Sequence, residues 1–520
     1  MIELYDCTLR EGEQAAGASF NFQDRIKLFS ILDDFGFDFI ELGWPLASEE
    51  IFNSFKECKK IAKKSKIVAF GSTSIDKIPS NDLNLNSIVN CGADYACIFG
   101  KTWLDQVEKQ LRITPQENIE KISSSIAFLK SKNIHVFYEA EHFFDGFISD
   151  PDYALETLKT AIQTGAERII LCDTNGGILP QKVEEIVKQV KSKFPNAKIG
   201  IHFHNDSGLA LANALVSLPY ITQIQGTING TGERVGNLNF SEFLPIYSKK
   251  LNQSIEVDLK KLKQVNESSF HLAGLEIPES RPFVGNTSFL HKGGVHIDAT
   301  NKGASYEHEI PEDFGNKRIA FLNTLGGSGS VINVAAQFGH NLDKKDPEVK
   351  FKIQSLFSEL KNLENQGYKL GALEAEQYLL IKKYFSDYSE ILSVQRWHVE
   401  TEKKDQKEKS KFSIECAVDN KIIKKTLETE GGPIDAAYKT LQHILSEKYP
   451  QVKDLKISDF HVSIARKKAE ESTVRTAITF QNKETFETVG VDQNLIQSAI
   501  EAIVKGFNYY VKNLVLKRRT

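Results

Sequence analysis

Cysteine is scarce in this chain: six in 520 residues, none in a C-x-x-C pair. Cys7, Cys58, Cys91, Cys97, Cys172 and Cys416 are scattered, several of them in apolar runs where a free thiol behaves as a small hydrophobe. Paired thiol motifs for metal or redox chemistry are therefore excluded. No apolar run approaches the length of a membrane span, so no membrane association is expected. The first residues, MIELYDCTLREGEQ, read as a strand and a charged loop without the apolar core of a signal peptide. With unpaired cysteines, that makes a reducing cytoplasmic setting the expectation. An excess of one charge is missing as well. Lys and Arg number 65 against 69 Asp and Glu, a formal charge of −4, which gives no electrostatic reason to bind nucleic acid.

What is present is the profile of a globular protein, 41% hydrophobic and 26% charged, in a chain long enough for two to four cores. From residue 1 to about 265, strand and helix patterns alternate. Candidate strands are 2–6, 37–42, 66–71, 94–99, 135–140, 168–173, 198–203 and 222–228. Between them run amphipathic segments such as QDRIKLFSILDDFG, NIEKISSSIAFLKSKN, PDYALETLKTAIQTG and LPQKVEEIVKQVKSK. Eight such units predict an α/β fold, a (β/α)8 TIM barrel, over a doubly wound open sheet.

The stretch KIGIHFHNDSGLALANAL (198–215) carries the chemistry. Side chains alternate along a strand, so His202 and His204 project together while Phe203 faces the other way. A single histidine here would more often be a packed or a surface residue. A pair at a strand end, followed by Asn-Asp, points to two nitrogen ligands of a metal that keeps an open position for substrate. The ends of other strands are polar too: Arg10-Glu11 after the first, Glu141-His142 after the fifth, Asp173-Thr174-Asn175 after the sixth, Asn229 to Asn237 after the eighth. In a barrel these share the C-terminal rim, where active sites of this fold are built. Glu11 is then a third, oxygen-donating ligand. Arg10 offers a planar fork of donors to a substrate carbonyl or carboxylate.

TLREGEQ (8–14) together with IGIHFHNDSGLALA (199–212) resembles the paired signature of the pyruvate-carboxyltransferase-like metalloenzymes. That family includes isopropylmalate, homocitrate and citramalate synthases and hydroxymethylglutaryl-CoA lyase. Two positions depart mildly: Glu11 stands where many members have Asp, and Arg25 where Lys is usual, a change expected to matter little. The segments GWP (43–45), VAFGST (68–73), IFGKTW (98–103), AEHFFDG (140–146), LCDTNGG (171–177), QGTINGTGERVGN (225–237) and HKGGVH (291–296) are most similar to the branch whose acceptor is pyruvate. The resemblance implies a divalent metal (Zn, Mn, Co or Mg) held by Glu11, His202, His204 and Asn237. It also implies acetyl-CoA as co-substrate, Arg10, Gln14 and Thr174 on the 2-keto acid, and proton transfers by Glu141 and His296, with Asp298 and Tyr306 beside them. The matching His and Tyr commonly serve the partner subunit, so a homodimer is expected. GTGERVG (230–236) lacks the spacing of a dinucleotide loop and reads as the segment presenting Asn237.

The barrel is expected to span 1–265, small connecting subdomains 266–388, and an α+β regulatory domain 389–520. Within the middle part, LGGSGS (325–330) reads as a flexible turn. In the last part, LSVQRWHVE and KFSIECAV read as strands separated by a lysine-rich loop, TEKKDQKEKS (401–410), ahead of a helix. Further strands and a final helix make a weak internal repeat. It resembles the effector-binding domain of the isopropylmalate synthase group, which implies an end-product amino acid, isoleucine, as effector. The readings kept open are a synthase for a larger 2-keto acid, an acyl-CoA lyase, and an amino-acid-binding protein with a degenerate barrel.

Overall fold

Phe39–Gly43 and Ile199–Phe203 are buried at every position, as strands covered on both faces must be. They belong to a closed barrel of eight parallel strands in sequence order. The strands are β1 (Glu3–Asp6), β2 (Phe39–Gly43), β3 (Lys66–Ser72), β4 (Tyr95–Lys101), β5 (His135–Glu141), β6 (Arg168–Asp173), β7 (Ile199–Phe203) and β8 (Gln223–Gly226). The expected TIM barrel is therefore the fold. The computed structural model describes residues 2–291, 306–318, 322, 327–370, 373–405, 407–466, 472–482 and 484–516. The chain divides into two units, Met1–Ser288 with Glu309–Lys317, and Phe289–His308 with Arg318–Thr520.

The barrel interior is lined by alternate residues: Tyr5 and Cys7, Phe39, Val68 and Phe70, Cys97, Phe137, Ile170 and Cys172 pack as one cluster. The same alternation turns Glu41, Glu139, Glu141, His202 and Gln225 inward at the upper end. Helices close the outside with ordinary signals. Asn21 forms a capping box with Asp24 before Phe22–Phe35, and Thr114 does so with Glu117, with Pro115 opening the helix to Ser131. The eighth strand stops at Gly226 rather than at residue 228, because the chain folds back: Thr227 already pairs with Asn239.

The second unit contains helices Gly327–Gln337, Pro347–Gln366 and Glu374–Phe385, then two three-stranded antiparallel sheets. The first sheet is β9 (Leu392–Lys404), β10 (Lys407–Val418) and β11 (Lys421–Glu430), and helix Pro433–Ser446 follows it. The second is β12 (Lys456–Arg466), β13 (Thr473–Gln481) and β14 (Thr485–Asp492), followed by helix Leu495–Tyr509. The internal repeat is thus real, three strands and a helix twice over. Tyr438 of the first helix stacks on Phe507 of the second, with centroids 5.5 Å apart.

Three local readings are corrected. Gly327–Ser330 open a helix rather than a turn, since Val331, Val334 and Ala335 behind them form a buried stripe. Most of the lysine-rich segment is strand: β9 runs to Lys404 and β10 starts at Lys407, and the cross-strand Thr401–Ser410 hydroxyl bond (3.0 Å) lies within it. Alternating Lys and Glu side chains suit an exposed ladder as well as a loop. Strand β11 was not anticipated, because KIIKKTLETE has no buried residue to mark a face.

Asn508 joins the two repeats. Its Oδ1 accepts from Ile391 N (2.8 Å) and Leu392 N (3.0 Å), and its Nδ2 donates to Leu392 O (2.8 Å). Asn508→Ala strands buried backbone groups at the start of β9 and is expected to destabilise the second unit by at least about 2 kcal/mol. Chemical denaturation followed by circular dichroism reads this, and an unchanged midpoint contradicts it.

Candidate active site

The loop after β1 is wound tightly by its own polar groups. Thr8 donates to Asp6 through backbone N (3.0 Å) and Oγ1 (2.8 Å), and Thr8 Oγ1 accepts from Ile228 N at 2.9 Å. Burial pushes Asp6 up to about 7. Arg10 N and Glu11 N both donate back to Cys7 O (3.1 and 2.8 Å), which turns the two charged side chains into the barrel mouth. Arg25, expected to matter little, holds this loop: its Nη1 donates to Leu9 O (3.2 Å) and Leu42 O (3.1 Å), and its Nη2 pairs with Glu13.

Arg10 is buried among carboxylates. Its Nε donates to Glu41 Oε2 at 2.5 Å, its Nη1 pairs with Glu11, and its Nη2 lies 3.9 Å from Glu139 Oε1. The guanidinium carbon stands 3.8 Å over the ring of Phe70, a cation–π seat. Burial opposes its charge, but Glu11, Glu41 and Glu139 outweigh burial and hold it protonated. The three carboxylates part company. Burial alone would raise Glu11, yet Arg10, then His202, His204 and the Asn237 amide bring it down to about 2. Burial wins at Glu41, which is raised although it also accepts from Tyr5 OH at 2.6 Å. Glu139 is pushed up to about 7 by burial, with Arg10 opposing and Glu11 and Glu141 adding to the rise.

His202 and His204 face the same space, ring centroids 5.3 Å apart, and Phe203 turns outward to stack on Phe144. Donor atoms of Glu11, His202 and His204 all lie within 4.8 Å of one another, and all three residues are buried. His202 Nδ1 is engaged with Gln225 Oε1 at 2.9 Å, which leaves Nε2 for a ligand role. Burial lowers both imidazoles, His204 to about 4, so they are neutral donors at neutral pH. Asn237 is 1% exposed, and its Oδ1 is a buried atom without a hydrogen-bond partner among the described residues, as is Nδ1 of His204. An anionic oxygen, two neutral imidazoles and an orphaned amide oxygen fit a divalent cation.

Asn237 is delivered by the loop after β8. Arg234 forks onto Asp206 (2.7 and 3.0 Å) and donates to Thr174 O at 2.9 Å, tying this loop to the ends of β6 and β7. Gly236 has φ +95°, and a Cβ there would meet Gly230 O at 2.0 Å, so only glycine fits beside Asn237.

The remaining expected residues are placed as follows. Thr174 Oγ1 accepts from His142 N at 2.8 Å, and its own O–H makes no bond among the described residues. Glu141 lies 2.6 Å from Lys101 Nζ. Gln14 is exposed at the end of the turn Gly12–Gln14, and Tyr306 is 49% exposed in the second unit. His296 and Asp298 lie outside the described residues. Sequence reading missed Glu41, Glu139, Gln225, Lys101 and Arg234. A signal existed for the first four: each is polar inside an apolar strand, and Glu139 is two residues before Glu141, hence on its face.

Three family models match the chain: HMGL-like over residues 1–268, Homocitrate synthase post-HMGL domain-like over 283–367, and LeuA allosteric (dimerisation) domain over 372–511. The chain is similar to a protein of Aquifex aeolicus named (R)-citramalate synthase, 38% identical over 508 residues, which cover 96% of this chain and 95% of that one. The (R)-citramalate synthase of Geobacter sulfurreducens is 38% identical over 519 residues, with 98% and 97% covered. A homocitrate synthase of Sulfolobus acidocaldarius is 32% identical over 362 residues, covering 68% of this chain and 75% of that protein.

Gln225 fixes the ring of His202 from behind. Gln225→Leu is expected to weaken divalent-ion binding by about 10–100-fold with the fold kept. Calorimetric titration of the metal-stripped protein with Zn or Mn reads this, and an unchanged affinity shows that the amide does not orient the ring.

Proposed function

We propose a division of labour among the rim residues of this chain, which belongs to the HMGL-like family and, within it, to the (R)-citramalate synthases. It is an acyltransferase that joins the acetyl group of acetyl-CoA to pyruvate, giving citramalate and free CoA. The observation that supports the assignment of roles is the meeting of Glu11, His202 and His204 beside the buried Arg10.

Glu11, His202, His204 and Asn237 would hold a divalent ion (Zn, Mn, Co or Mg), which would supply Lewis-acid polarisation of a keto carbonyl when bound. Arg10 is the protein's own contribution at that oxygen. Its Nη2 is buried and makes no hydrogen bond among the described residues, so it has a donor left for the charge that develops there. Thr174 donates to the acceptor carboxylate, and Gln14 approaches from the β1 loop. Glu141 takes a proton from the acetyl methyl, and the electron pair of that C–H bond becomes the enolate. The enolate carbon attacks the keto carbon, whose π pair moves to oxygen beside Arg10. His296, with Asp298, and Tyr306 serve the remaining proton transfers. Water then cleaves the thioester, which makes the carbon–carbon bond irreversible.

The chain works as a cytoplasmic homodimer. Among the described residues no helix is long and apolar enough to cross a membrane, and residues 372–511 match the LeuA allosteric (dimerisation) model. That domain binds isoleucine. It holds none of the residues assigned to chemistry, so its influence on rate is a coupling between separate sites.

With acetyl-CoA as donor, pyruvate is expected to have the highest kcat/KM. Each methylene added to the acceptor should cost about 10–200-fold, the usual discrimination of an apolar pocket. Release of CoA with pyruvate, 2-ketobutyrate and ketoisovalerate compares them, and preference for ketoisovalerate overturns the assignment. Isoleucine is expected to lower the rate by about 5–150-fold at saturation, the range of ordinary allosteric coupling, with leucine weaker. Full activity in saturating isoleucine, or stronger inhibition by leucine, rejects the effector.

A further inference from the structure

The ends of β4 and β5 are tied together more closely than any ladder requires. Lys101 and Glu141 are direct partners in register. Thr102 donates twice to Glu141 O, from N at 3.2 Å and from Oγ1 at 2.6 Å. Asn118 Nδ2 donates to Lys101 O at 2.8 Å. Helix Phe143–Ser149 presses on the same point: a Cβ on Gly146 would lie 2.5 Å from Thr102 O. Out of this clamp, Lys101 Nζ reaches Glu141 Oε2 at 2.6 Å, with the lysine side chain 8% exposed and the glutamate 21%.

An ammonium so far removed from water is costly unless paired, and a paired one adds little net stability over apolar side chains of the same size. Packing therefore does not account for a lysine at this position. The other charged or titratable groups that act on Glu141 are Tyr138 and Glu139 on its own strand and Cys172 on β6. Among the described residues, Lys101 is the cation paired with it.

We propose that Lys101 is a positioning residue for the condensation: its ammonium, in an ion pair with Oε2, keeps the Glu141 carboxylate ionised and oriented to receive the acetyl proton. This rests on the reading of Glu141 as the group that takes that proton. Removing the cation destabilises the carboxylate and raises its pKa. The base is then protonated at a pH where it was free before, so as pH falls activity is lost sooner.

The test compares full-length Lys101→Met, Lys101→Gln, Lys101→Arg and Glu141→Gln, each checked for native circular dichroism. Lys101→Met is expected to lower kcat at least about tenfold, since general-base catalysis contributes more than this, with KM for pyruvate and acetyl-CoA within about twofold. The acidic limb of kcat/KM should move up by at least about one pH unit, the lower bound for losing a neighbouring opposite charge. Lys101→Gln should behave likewise if the methionine variant does not fold, and Lys101→Arg should recover most of kcat and the original limb. A Lys101→Met or Lys101→Gln enzyme with an unmoved limb and intact kcat overturns the inference, and so does one with only a raised KM for acetyl-CoA. If Glu141→Gln keeps full activity, the reading of Glu141 falls and this inference with it. If Glu141→Gln is inactive and the lysine variants are unchanged, this inference falls alone.

Discussion

A guanidinium buried in the mouth of the barrel among three carboxylates is the interaction on which the rest of the site depends. Arg10 touches Glu11 from its own loop, Glu41 from β2 and Glu139 from β5. Buried ion pairs are weak contributors to stability, because desolvation cancels most of the attraction. Their geometry, however, is strict. Each carboxylate must arrive at a set height on its strand, and the guanidinium plane must lie on the face of Phe70. The barrel register supplies this: Tyr5 pairs with Phe39 across β1 and β2, and Phe99 with Glu139 across β4 and β5. With one cation facing three carboxylates, burial pushes Glu41 and Glu139 up, while Glu11, beside the histidines, is held ionised. The donor atoms of Glu11, His202 and His204 lie within 4.8 Å of one another, a set that would fit a divalent cation.

The two glutamates of β5 show how one strand produces two chemical environments. Glu139 and Glu141 share a face, yet one sits deep beside Arg10 and His202 and the other sits at the mouth against Lys101. Burial pushes Glu139 up to about 7, whereas Glu141 stands against an ammonium. Arg234 performs a comparable task for the β8 loop, since its fork on Asp206 and its bond to Thr174 O hold Asn237 where Glu11 can meet it.

The second unit is organised by a different rule. Its core runs from the helices of the middle segment (Val334, Leu356, Ile381) through both repeats (Leu441, Ile478, Phe507) without a break. A partly buried charge cluster crosses it. Lys505 lies 3.3 Å from Glu376 and 2.9 Å from Glu501, and Tyr368 OH bonds Glu501 at 2.5 Å. Here, as in the barrel, polar groups fix the relation between elements that apolar packing alone would leave free to slide.

The sequence by itself determined the eight strands, the inward pairing of His202 with His204, the rim position of Arg10-Glu11, and the repeat in the C-terminal quarter. These follow from periodicity and alternation, which are local properties of a chain. Family resemblance added Asn237, Thr174 and the proton-transfer set. Only the tertiary structure decided that Glu41 and Glu139 surround Arg10, that Gln225 backs His202, that Lys101 meets Glu141, and that Arg25 and Arg234 hold the loops. Each of these partners is remote in sequence, and no local pattern encodes how far a residue stands from a distant strand. The strand β11 and the helix from Gly327 were misread for the converse reason. Their local composition is weak, exposed charge in one and glycine in the other, and they hold their form through neighbours supplied by the fold.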